Sequence, residues 1–229
     1  MGQRLNQYRG KLSAELIAEG INAAKRNALR LVEDARILCQ RERYPTAAAL
    51  AVLSIEESGK VSILRSLALA RDQKEAEKVW REYRSHKHKN THWTLPQLVA
   101  GGARTLEELR PLFEDSSDHP QVLDSVKQVG FYTDCLGKQH WSEPSEVIDA
   151  SLAMSLVKTA ELLAPSKPVS SEEIRLWIKH LAPVWKGNMG WMRTALLNWH
   201  QEMVEKGLTE DSGGFARFVG HESTPTDGA

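Results

Sequence analysis

Apolar and polar positions alternate at steps of three and four along most of this chain, a pattern that predicts helices almost throughout. From Leu12 to Arg43, Leu16, Ile17, Gly20, Ile21, Ala24, Ala28, Leu31, Val32, Ala35 and Leu38 form one stripe, and charges fill the opposite face. Ser13 stands where an N-cap belongs, and Tyr44-Pro45 breaks the helix. A second helix is predicted from about Thr46 to Ala70. Between Ala47 and Ile55 it is apolar all round, as expected of a helix buried among others, and its alanines allow close approach. Leu50, Leu53, Glu57, Lys60 and Leu64 follow at steps of three or four. That places Glu57 and Lys60 on the stripe of Leu50 and Leu53, toward a partner helix or a cleft floor. Glu56 and Lys60 also form an i,i+4 pair in the favourable order.

A third helix is expected from Asp72 to about Lys89, with an acid at its start and bases at its end. Gly101-Gly102 is a break. Thr105 and Glu108 have capping-box spacing for a short helix that Pro111 ends or kinks. Asp118 suits the cap of a helix from about Pro120 to Phe131, and Gly130 to Gly137 reads as an irregular excursion. Further helices are expected at Ser145 to Leu163, from Ser170 (with Glu173 as box partner) to Leu181, and at Asn188 to Lys206. Trp177, Trp185, Trp191 and Trp199 read as core anchors or a dimer face. No alternating strand pattern and no internal repeat stands out. The fold class is therefore all-α.

Length and balance narrow the function. The 229 residues, 41% of them hydrophobic, suit one or two compact domains. Thirty basic residues balance 30 acidic ones, so contact with nucleic acid must come from a local patch. Cys39 and Cys135 make no disulfide framework, the N-terminus has no apolar signal core, and no apolar run is long enough for a bilayer. A soluble, cytoplasmic protein without membrane contact is expected.

No Gly-rich phosphate loop, G-x-S-x-G, paired C-x-x-C or H-E-x-x-H is present. What remains is the segment from Lys78 to Trp93. It sets Lys78, Arg81, Arg84, Lys87 and Lys89 against Glu82, and interleaves His86, His88 and His92 with Trp80, Tyr83 and Trp93. Cations suit phosphate and flat faces suit unstacked bases, so this composition fits an RNA surface; a solvated basic helix end has a similar composition. His86-x-His88-x-x-x-His92 has metal-ligand spacing, but no Cys or Asp lies near in sequence and lysines crowd it, so no metal or cofactor is expected. Arg81 precedes His86 and His88 at spacings that give metal-free RNA cleavage coherent chemistry. A histidine moves the protons of the 2′-OH or the leaving oxygen, and an arginine steadies the phosphate. On a continuous helix Arg81 and His88 face the same way and His86 lies well round from both. Use of His86 requires the helix to end or bend near Ser85, or a second subunit to supply partners.

These residues resemble the AbiV family of bacterial abortive-infection proteins. The resemblance rests on Gly20, Asn22 and Asn27 in a long helix, the EE-x-x-K of Glu56, Glu57 and Lys60, and the run His86-Lys87-His88-Lys89. A second signature matches Val126-Lys127-Gln128-Val129-Gly130-Phe131-Tyr132-Thr133-Asp134. It covers about residues 10–165. It implies a HEPN-like antiparallel helical bundle, frequent dimerisation and a role in phage defence. Many HEPN proteins are metal-independent endoribonucleases with an Arg-x(4–6)-His motif, which here falls on Arg81 with His86 or His88. Glu82 stands where those enzymes favour a small polar residue, and the motif lies in the first half of the chain.

The expected organisation is a HEPN-like domain at 10–165, a C-terminal helical extension packed on it at 168–207, and a disordered tail at 208–229. The expected function is antiphage defence by action on RNA or translation. Arg81, His86 and His88 would be catalytic with Glu57 and Lys60 orienting them, and Arg84, Lys87 and Lys89 would hold RNA (tRNA, rRNA or mRNA). Glu56, Lys127, Tyr132 and Asp134 complete the family motifs. A homodimer and a phage-encoded trigger protein are the expected partners. Two other readings use the same residues. One is a non-catalytic module that sequesters RNA or a protein, and the other is an interaction protein with a Trp-rich contact face.

Overall fold

The computed structural model describes residues 6–109, 119–164, 167–210 and 213–220. Helix α1 spans Ala14–Gln40 and α2 spans Tyr44–Ala68. Ser13 caps α1 by accepting a hydrogen bond from the Leu16 amide, as its position suggests. Glu42 turns the chain with a φ of 59°, and Pro45 fits the first turn of α2, where its missing N–H costs nothing.

Helix α2 is the axis of the fold. It packs against α1 along its length, and against α6 (His119–Phe131) and α8 (Ala150–Leu163). Ala47, Ala48, Ala49, Ala51, Val52 and Ile55 are buried, so a side surrounded on every face carries no polar stripe. Ser54 satisfies its buried hydroxyl by donating to the Ala28 carbonyl of α1 at 2.8 Å. Gly130 lets α6 come close: a Cβ there would lie 3.0 Å from the Pro45 carbonyl oxygen.

The chain between α2 and α6 departs from a single third helix. Helix α3 covers Gln73–Arg84, capped by Asp72; Ser85 is extended, with ψ of 125°; and α4 is a separate turn at His86–Lys89. Helix α5 spans Leu95–Ala100. The Thr105–Glu108 box forms its hydrogen bonds, but around a turn rather than a helix. Pro111 and Asp118 lie outside the described residues. After α6 the expected irregular excursion is partly a hairpin, β1 (Asp134–Leu136) paired antiparallel with β2 (His140–Ser142) in the register Cys135 to Trp141. The expected helix from Ser145 is two pieces, α7 (Pro144–Val147) and α8, because Ile148 is extended and Asp149 caps the second.

Helices α9 (Ser171–Leu181, capped by Ser170) and α10 (Met189–Glu205, capped by Asn188) follow. Helix α9 packs on α1 and α2, and Ile174 shares a core with Ile17, Ile21, Ile63 and Leu64. Asn22 of α1 holds the connector by exchanging two 2.8 Å hydrogen bonds with the Val169 backbone. Arg65 of α2 pairs with Glu173 and lies 5.1 Å from the Trp177 ring and 5.5 Å from Trp199. Trp199 is a core anchor, whereas Trp191 is exposed. In the stretch expected to lack order, α11 (Gly214–Val219) is helical and buries Val219. Among the described residues no helix is long and apolar enough to cross a membrane.

Candidate active site

The most buried acid among the described side chains is Glu56, at 3% exposure, in the middle of α2. It sits on the face of Val52, Ile55 and Gly59, one residue round from the stripe on which Glu57 and Lys60 were expected. Glu57 and Lys60 are half-buried instead, paired with each other, and Lys60 lies 5.1 Å from the Tyr83 ring of α3. The expected Glu56–Lys60 pairing is replaced by this i,i+3 pair.

Three cationic or polar groups converge on the Glu56 carboxylate. Lys89 of α4 donates to Oε2 at 2.9 Å, and Lys127 of α6 donates to Oε1 at 2.7 Å. Nδ1 of His86 lies 2.9 Å from Oε1 and 2.8 Å from Oε2. Lys127 also pairs with Asp124 at 2.7 Å, and Asp124 stands 4.0 Å from His86 Nδ1. Burial pushes the Glu56 carboxyl up, and hydrogen bonds from Lys127, Lys89 and His86 outweigh it and hold the group below the ordinary carboxylate value. Burial likewise pushes Lys127 down, and Asp124 and Glu56 more than reverse it, so its ammonium is held charged. With a neutral imidazole the five charges and dipoles sum to zero net charge.

A carboxylate offers only acceptors, so Nδ1 of His86 carries the proton where it bonds to Glu56; the same Nδ1 lies 3.1 Å from Lys127 Nζ and 3.4 Å from Lys89 Nζ, contacts in which it accepts instead. Nε2 of the neutral ring is then left with its lone pair, and the His86 side chain is 49% exposed. In the tautomer with the proton on Nδ1, Glu56 orients the ring as an acid does in hydrolytic triads.

The local sequence builds this arrangement. Ser85 ends α3, and α4 then lies directly across α2. The contact is so close that a Cβ on Gly59 would meet the Lys89 carbonyl oxygen at 1.9 Å. Glu56 and Gly59 are one turn apart, so the acid and the gap that admits α4 share a face. The EE-x-x-K segment therefore contributes Glu56 and the intervening Gly59 to the centre.

The other expected site residues lie elsewhere. Arg81 is exposed and, with Gln7, Arg9, Glu77, Arg84 and Ser85, lines a groove of about 330 Å³. Arg84 is anchored there by donating to the carbonyls of Tyr8 at 2.7 Å and Trp80 at 3.1 Å. His88 is exposed, its Nδ1 3.0 Å from Ser85 Oγ, and Lys87 is exposed beside it. Tyr132 is exposed, and Asp134 braces the hairpin by accepting from the Cys135 amide. Of the residues named from sequence, Glu56, His86, Lys89 and Lys127 come together; Asp124 was missed, although Asp124-x-x-Lys127 has the i,i+3 spacing of a helix-face pair.

Donor atoms of Glu56, His86 and Asp124 lie within 4.8 Å of one another, the geometry of a metal ligand set. The chemistry fits poorly. Two ammonium groups already occupy the Glu56 oxygens, and a divalent cation there would face both.

The HEPN_AbiV family model, described as AbiV, matches residues 16–165, which include the whole cluster from Glu56 to Lys127. The chain belongs to the AbiV family. That places it in the HEPN superfamily, in keeping with its all-α bundle, and associates it with abortive infection as antiphage defence. Neither the curated proteins nor the solved structures gave a match. In this AbiV-family chain the matched region ends just before the connector to α9, so Asn22, through Val169, and Arg65, through Glu173, Trp177 and Trp199, tie the family region to helices beyond it.

Proposed function

We propose that this AbiV-family protein acts in antiphage defence as a metal-independent endoribonuclease with His86 at its centre. The observation that carries the reading is the Glu56–His86 contact on a half-exposed histidine: with Nδ1 donating to Glu56, Nε2 is the ring's free base. Nε2 takes the proton of a ribose 2′-OH, the 2′ oxygen attacks the adjacent phosphorus, and the bond to the 5′ oxygen breaks. The products are a 2′,3′-cyclic phosphate and a 5′-hydroxyl, the leaving oxygen taking a proton from solvent. Glu56 steadies the imidazolium formed, and Lys89 and Lys127 keep Glu56 ionised. Arg81 and Arg9 offer guanidinium groups to the RNA phosphates along the groove that Arg84 helps to shape, and Lys87 adds a further charge.

The test is incubation of purified protein with cellular RNA and tRNA in EDTA, alone and with extract of infected cells, followed by analysis of fragment ends. Cyclic phosphate ends support the reading. Intact RNA in both settings, or cleavage that EDTA abolishes, refutes it. A second reading draws on the separation of Arg81 from the Glu56 cluster: the groove grips RNA without cutting it, and the cluster only pins α4 in place. Equal RNA affinity with no cleavage under every condition would favour that alternative.

A further inference from the structure

We propose that a second cavity, of about 260 Å³, receives one unstacked base of the RNA strand and makes the protein selective for sequence. This rests on the RNA reading above and deepens it. Ile55, Ser58, Ser62, His92, Leu95 and Leu163 line the cavity, along with Gly59. It is therefore built on the same turn of α2 that carries Glu56, on residues flanking the α4 seat. The Arg81 groove, by contrast, is lined by α3 and the N-terminal segment.

The lining points to a flat, neutral heterocycle. Ile55, Leu95 and Leu163 supply apolar walls of the kind that close on a ring face. Arg65 also borders the space, but its guanidinium is committed to Glu173 and the Trp177 and Trp199 rings, so no free charge faces in. Ser58 Oγ is buried and has no hydrogen-bond partner among the described residues, which is costly unless something arrives to pair with it. Ser62 Oγ donates to the Gly59 carbonyl at 3.0 Å, which leaves its lone pairs to accept. His92 stands at the cavity wall, where burial, with His119 nearby, pushes its imidazole down. An apolar slot with a few neutral hydrogen-bonding groups suits the edge of a base splayed out of a single strand. A site that hydrogen-bonds its ligand discriminates strongly, because the wrong base leaves those groups unpaired.

The experiment uses the full chain with His86→Ala, which binds without cutting, and single-stranded RNA oligonucleotides carrying one 2-aminopurine. Unstacking of the probe should raise its fluorescence saturably. Ser62→Phe or Leu95→Trp, each added to His86→Ala, fills the cavity from a different wall and should weaken this response about tenfold or more. Ser58→Ala removes only the unpaired hydroxyl; it should hold or raise thermal stability while reducing discrimination among bases. The same affinity and fluorescence change in all the variants would overturn the proposal. Cleavage by the wild type with a base preference that Ser62→Phe leaves unchanged would overturn the cavity alone. Base binding at the cavity without cleavage would uphold it and refute the nuclease.

Discussion

Gly59→Ala is the change that most sharply separates a built site from an accidental cluster. In a helix interior this substitution ordinarily stabilises by about 0.5–1 kcal/mol, because glycine gives up more backbone freedom. Here the new methyl would stand 1.9 Å from the Lys89 carbonyl oxygen and 2.8 Å from its carbon, both backbone atoms that no rotamer can move. Ordinary contact begins near 3.4 Å, so α4 must retreat by roughly 1.5 Å. The bonds from His86 and Lys89 to Glu56, now 2.8 and 2.9 Å, would stretch beyond hydrogen-bonding length. Overpacking costs about 1–3 kcal/mol and each lost charge-assisted bond about 1.5–3, so the sum outweighs the helix gain. The expected result is a net loss of about 3 kcal/mol or more in urea unfolding, together with loss of RNA cleavage. A protein made more stable by Gly59→Ala, with cleavage intact, would mean that α4 does not rest on α2 as described.

Other outcomes follow from the same contacts. Glu56 titrates lower folded than unfolded, so its contribution is complete above the ordinary carboxylate value of 4.5 and is lost as pH falls through the folded value. Acid unfolding of the wild type should therefore steepen below that range, and Glu56→Gln should flatten it at a cost of about 3–5 kcal/mol at neutral pH. Arg81→Ala, at an exposed position, should leave the melting temperature unchanged and reduce the salt slope of RNA binding by about one; an unchanged slope would remove the groove from the RNA path. Arg65→Ala should raise hydrogen exchange in α9 and α10 well before it affects α1 and α2, because Arg65 bridges α2 to Glu173, Trp177 and Trp199.

Much of the bundle was legible in the sequence because caps and stripes are local. Ser13, Asp72, Asp149, Ser170 and Asn188 each accept the amide hydrogen bond of an N-cap, although Asp149 had gone unread inside an expected longer helix. The face of α2 was harder. A helix apolar all round has no weak side, and its neighbours α1, α4, α6 and α8 decide which residue is deepest. Anchoring the stripe on Leu50 and Leu53 brought out Glu57 and Lys60, whereas the structure buries Glu56. Gly59, a glycine inside a helix one turn from an acid, was the local sign of close approach. The break at Ser85 was concealed by basic residues that suit a continuing helix end. Only the fold shows that it turns His86 and Lys89 back onto α2. Asp124 has no signal on its own; it matters because α6 crosses α2 at Gly130.

The rate of RNA cleavage by His86→Ala, measured beside the wild type and Glu56→Gln in single-turnover reactions with EDTA, tests the role of the cluster most directly. His86 is half exposed and its removal leaves Glu56 with both lysines, so the variant should fold normally. The expected result is a loss of about 10²–10⁴-fold for His86→Ala, with a smaller loss for Glu56→Gln in the fraction that folds. Cleavage by His86→Ala at the wild-type rate would contradict the assignment of His86 as the catalytic base.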